Sequence, residues 1–101
     1  MAAPRFLGTD MTDPEVMPYF TWDAPMTVRD IRERLRTAPE QERFYLLGKI
    51  LREARDTDVW HFTTPGFVVR NFDLLLPHLG RSRPFWQWVL KRWREEGMLE
   101  S

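Results

Sequence analysis

Cysteine is absent from these 101 residues, which removes disulfides, thiol nucleophiles and zinc–thiolate sites together and suits a reducing compartment. Serine is confined to Ser82 and Ser101, histidine to His61 and His78. A serine triad needs a hydroxyl held by a base that a third group orients. It would have to recruit Ser82, whose neighbourhood reads instead as a helix cap. The five glycines, Gly8, Gly48, Gly66, Gly80 and Gly97, are scattered, so no glycine-rich phosphate loop can form. No apolar run approaches the roughly 20 residues that span a bilayer, and Met1 to Leu7 lack a signal-peptide core. The expected location is the cytoplasm. An excess of one charge sign is also missing, with Lys+Arg and Asp+Glu both at 15. No global field therefore draws the chain to nucleic acid or anionic lipid, and any such contact must come from a local patch.

What is present describes one ordinary globular domain. Hydrophobic residues make up 43% and charged residues 30%, outside the apolar-poor, strongly charged range of disordered chains. The length allows one modest core and not two. Arginine outnumbers lysine 13 to 2, as a GC-rich genome would produce and as bidentate contacts to carboxylate or phosphate would favour.

The chain divides into two stretches. Residues 1–24 hold Pro4, Pro14 and Pro18, carry Asp10, Asp13, Glu15 and Asp23 against Arg5 alone, and lack helical periodicity. This is an irregular acidic leader that could fold back on the body or stay partly unstructured. Met11, Met17 and Met26 leave an internal start open. Residues 25–101 keep 14 basic and 11 acidic residues, a net of +3, and read as a helical domain. The expected class is all-α, a small bundle of four to five short helices behind that leader.

Thr27 with Asp30 three residues on makes a capping-box start, and Val28, Ile31, Leu35 and Ala38 then share a face. Pro39 ends this helix and opens a second over about residues 40–55. Its stripe is Phe44, Leu47, Ile50, Leu51 and Ala54, with Leu46 at the margin. After Asp56-Thr57-Asp58, the residues Val59, Trp60 and Phe62 lead to Thr63-Thr64-Pro65, a cap with a first-turn proline. A third helix is predicted from Pro65 to about Asp73, followed by a turn around Pro77 and Gly80. A last helix begins at Ser82-Arg83-Pro84 and stops at Gly97, with Phe85, Trp86, Val89, Leu90 and Trp93 inward.

Three features could carry chemistry. Asp56, Asp58 and His61 offer hard-metal or acid–base donors, but a capped, helix-ending loop explains their spacing as well. No catalytic residue, metal or cofactor is expected. Arg29, Arg32 and Arg36 fall at i, i+3 and i+7, away from the apolar face of the first helix. They could meet phosphate or an acidic protein, although Asp30 and Glu33 dilute the stripe. Trp88 lies outside the apolar face of the last helix, and Tyr45 lies across the second helix from its stripe, among Lys49 and Arg52. Exposed Trp and Tyr are the residue types that anchor protein interfaces. The candidate contact residues are therefore Arg29, Arg32, Arg36, Tyr45 and Trp88; Trp88 could equally centre a homodimer.

Several segments together carry a resemblance. They are Tyr19-Phe20-Thr21-Trp22-Asp23, the run Leu46 to Trp60 with its Ala54-Arg55-Asp56-Thr57-Asp58-Val59-Trp60 end, Phe62-Thr63-Thr64-Pro65, and Leu79-Gly80-Arg81-Ser82-Arg83-Pro84-Phe85-Trp86 with Trp93. Over about residues 19–99 the chain resembles a family of small bacterial proteins often encoded beside a nucleotidyltransferase of the abortive-infection AbiEii type. The resemblance implies an antitoxin or accessory protein whose partner performs the chemistry, and it supplies no catalytic residues. The alternative is a small nucleic-acid-binding regulator that sets the arginine face on phosphate. Its weakness is the body's net charge of only +3, a faint basic footprint for a nucleic-acid reader.

Overall fold

A computed structural model describes residues 7–97; the first six residues of the leader and residues 98–101 lie outside the described part. Six α-helices form among the described residues: α1 Val28–Thr37, α2 Glu40–Glu53, α3 Asp56–Val59, α4 Pro65–Arg70, α5 Phe72–Leu75 and α6 Arg83–Glu95. Strands β1 Leu7–Gly8 and β2 Met17–Pro18 make one short parallel pair, Leu7 opposite Met17 and Gly8 opposite Pro18. The fold is a small, mostly helical globule with an irregular N-terminal stretch.

Helix α1 starts where its capping box stands. The Thr27 hydroxyl accepts from the Asp30 amide at 3.1 Å, and Asp30 accepts from the Thr27 amide at 3.2 Å. The first amides of a helix lack intrahelical acceptors, and here the leader supplies two of them. Val28 N–H donates to the Val16 carbonyl at 2.8 Å and Arg29 N–H to the Pro14 carbonyl at 3.0 Å. The described part of the leader, residues 7–24, therefore folds back on the body. Met11 and Phe20 enter the common core, each 2% exposed, and Thr21 is fully buried.

Helix α2 is the axis of the molecule. Every residue from Leu46 to Leu51 is buried, the pattern of a helix covered on all sides. Leu46, placed at the stripe's margin by periodicity, belongs to the core. The close approach of the Leu76–His78 turn needs Gly48, because a Cβ there would stand 2.3 Å from His78 Cβ. At the far end, the unsatisfied Leu51 carbonyl accepts from Trp86 Nε1 at 2.8 Å. This bond fixes α6 to α2 and sets the rotation of α6.

Two expected boundaries differ. The helix predicted from Pro65 to Asp73 begins as expected, with Thr64 Oγ1 accepting from the Phe67 amide at 3.1 Å. It breaks at Asn71, whose φ of −115° and ψ of 18° are not helical. The Asn71 side-chain amide donates to the Phe67 carbonyl at 2.9 Å, beside the bond from its own backbone N–H at 3.0 Å, the kind of local side-chain bond asparagine makes where a helix ends. Ser82 stands at the N-cap of α6 without capping it. A helical turn, Gly80–Ser82, runs directly into α6, and the Ser82 hydroxyl donates backward to the Leu79 carbonyl at 2.6 Å.

Candidate partner-binding surface

Trp86 and Leu90, one helical turn apart, are the inward residues of α6 at 2% and 4% exposure. Phe85 was expected beside them and is instead 46% exposed. The Trp86–Leu51 bond orients the helix, and Phe85, about 100° around from Trp86, falls on the flank with its ring edge-on to Trp86 at 5.3 Å. Trp88 is 55% exposed, as its position off the apolar face implies. Its ring lies 6.4 Å from Phe85, with the Arg92 guanidinium 5.6 Å over its centroid.

Behind this exposed pair lies a second aromatic row. Trp60 meets Trp86 edge-on at 6.0 Å and lies tilted against Trp93 at 5.8 Å. Trp60, Trp93 and Val89 are each half-buried. Together with Phe85, Trp86 and Trp88 they wall a cleft of about 380 Å³, rimmed by Asp56, Arg92 and Glu96. Arg92 pairs with Glu96 one turn on, so the rim holds a fixed ion pair beside an apolar floor. Chemically, the arrangement offers shape, apolar area and aromatic faces.

The other predicted contact residues fall elsewhere. Arg29 pairs with Glu15 of the leader, and Arg36 with Glu33 at 2.6 Å. Arg32 lies over the Phe62 ring at 5.7 Å and donates to the carbonyls of Met11 and His61, each at 3.4 Å. Arg29 and Arg32 thus clasp the leader to α1, Arg36 stays paired within α1, and Arg29 and Arg36 keep more than half of their side chains in solvent. Tyr45 is 57% exposed and edge-on to His78 at 5.8 Å, at a cleft it does not share with Trp88. The five residues therefore occupy three separate features.

Asp56, Asp58 and His61 make local and cross-chain hydrogen bonds, His61 through its backbone carbonyl. Asp58 accepts from the Tyr19 hydroxyl at 2.6 Å, Asp56 from the Thr57 amide at 2.9 Å, and the His61 carbonyl from Arg32. No group of three or more His, Asp or Glu among the described residues could hold a metal ion.

Two further polar residues, Tyr19 and Lys49, tie the leader to the body. Tyr19 donates to Asp58, accepts from the Arg55 amide at 2.7 Å, and lies under the Arg55 guanidinium at 5.2 Å. Burial, reinforced by Asp58, raises its phenol above the usual range. Lys49, read as part of the polar side of α2, is 3% exposed and pairs with Asp23 at 2.6 Å. That bond holds the Asp23 carboxyl below its ordinary value. The signal in the sequence is the acidic excess of residues 1–24, four acids against Arg5 alone, which calls for basic partners in the body.

No helix among the described residues is long and apolar enough to cross a membrane. Compared with protein-family models, with curated proteins and with solved structures, the chain has no match.

Proposed function

We propose that this chain is a non-catalytic protein-binding module, the antitoxin or accessory partner of a nucleotidyltransferase, acting in the cytoplasm and meeting its partner through the aromatic cleft of α6. The observation that carries the binding role is the exposure of Phe85 and Trp88 beside the half-buried Trp60, Val89 and Trp93. Large rings grouped over an apolar floor and ringed by a charged rim have the composition of an interface hot spot. The partner class rests on the sequence resemblance. A neutraliser needs only a complementary surface that occludes an active site or holds an inactive form, and no reactive group of its own.

The arginine face supports a structural role more directly than a phosphate-binding one, since Arg29, Arg32 and Arg36 already have acceptors within the chain. The test combines Trp88→Ala and Phe85→Ala with the co-expressed nucleotidyltransferase. Each variant should keep the native unfolding transition and weaken the complex, and the double variant should lose it, because the truncated rings contribute area to the partner and little to the core. Undiminished complex formation by the double variant would remove α6 as the contact surface.

A further inference from the structure

A second cleft lies on the opposite functional account from the aromatic one, because at its floor is a charge. It encloses about 470 Å³ and is walled by Ala24, Met26, Ala38, Tyr45, Leu46 and the His78 ring. That volume falls in the range of small-molecule sites, which are mostly apolar with a few placed polar groups. The ammonium of Lys49 supplies such a group. It has three donors, of which one goes to Asp23 at 2.6 Å, while Glu53 stands at 3.8 Å, beyond hydrogen-bond reach.

The two members of the Lys49–Asp23 pair are unequally held. The Lys49 side chain is 4% exposed and anchored in α2, whereas the Asp23 side chain is 44% exposed. Asp23 belongs to an irregular strap, Trp22 to Pro25, all of it exposed. The carboxylate can turn out into water; the buried ammonium cannot follow. Another anion can therefore replace Asp23 without uncovering an unpaired buried charge. The other charged groups facing the cleft are Arg34 and Glu42, which offset each other, and Glu53 is paired with Arg52 at 3.0 Å. Once the Asp23 carboxylate turns out, Lys49 is the unbalanced charge of the cleft, and it matches a single negative charge.

We infer that this cleft binds a small organic monoanion, a carboxylate on a compact apolar body, with the carboxylate taking the place of Asp23 on Lys49 and the body lying against Tyr45, Met26 and Leu46. Asp23 acts as an internal competitor for the site. This inference is independent of the partner reading, since no residue of the α6 cleft takes part.

The experiment is a nuclear magnetic resonance titration of the full chain with benzoate, acetate and inorganic phosphate as probes. Benzoate should shift the Tyr45, His78 and Lys49 signals with a dissociation constant of about millimolar order, as expected of so small a ligand. Asp23→Asn should tighten it about tenfold by removing the charged competitor. Lys49→Met should abolish it, and Trp88→Ala should leave it unchanged. Absence of benzoate shifts in both the parent and Asp23→Asn would overturn the inference, as would equal affinity for benzoate and phosphate. Should Lys49→Met fail to fold, the Asp23→Asn comparison decides alone.

Discussion

Gly48→Ala sets two effects of opposite sign against each other. In the interior of a helix, alanine gains about 1 kcal/mol over glycine from backbone entropy. Against this, the new Cβ would stand 2.3 Å from His78 Cβ and 3.3 Å from the His78 carbonyl oxygen. Ordinary carbon contacts lie near ~3.5–4.0 Å, so the Leu76–His78 turn must retreat by over about 1 Å. The obstructing atom is next to the backbone, and no side-chain rotation relieves it. Overpacking of this kind costs about 1–3 kcal/mol. Retreat also stretches the bond from Arg52 Nη1 to the His78 carbonyl, now 2.9 Å, a charge-assisted bond worth about 1.5–3 kcal/mol when made. The clash wins, with a net loss of about 2 kcal/mol, which for a domain of this size lowers Tm by about 10 °C. Urea and thermal unfolding followed by tryptophan fluorescence would measure it. An unchanged or raised Tm would show that the turn is not seated on α2 as described.

Three further outcomes are expected. Tyr19→Phe should destabilise the chain by about 1–2 kcal/mol in urea unfolding, because it leaves Asp58 and the Arg55 amide without their shared partner; no change would mean that the leader is not pinned there. The Asp23 carboxyl is lowered in the folded state, so its contribution is present above the ordinary carboxylate range and is lost as pH falls through the folded value. Acid unfolding of Asp23→Asn should accordingly show a weaker pH dependence below about pH 4 than the parent. Tyr19 shifts the other way, its phenol being raised. Its contribution is complete below the ordinary phenol range and lost as pH rises through the folded value, so ultraviolet titration should find a phenol ionising above that range, and Tyr19→Phe should remove it.

The helical frame was legible because its signals are local. Thr27 with Asp30, Thr64 with Pro65, and the spacing of Trp86 and Leu90 each state a cap or a face within a few residues. Trp88 was legible for the same reason, since its angle on α6 follows from the position of Trp86. What stayed hidden depends on contacts across the chain. Phe85 sits on the flank because Trp86 is tied to Leu51, 35 residues away. The arginine stripe on α1 reads as a free charged face until the leader brings Glu15 and the Met11 carbonyl to it. Lys49 reads as solvated until the Asp23 strap covers it.

Co-purification tests the central claim most directly. The tagged chain would be expressed together with a neighbouring nucleotidyltransferase, and the eluate resolved by size exclusion and mass spectrometry. The account expects a stoichiometric complex that Trp88→Ala weakens while the variant's own unfolding transition stays in place. A chain that elutes alone, or that carries nucleic acid with a steep salt dependence and no protein partner, would contradict it.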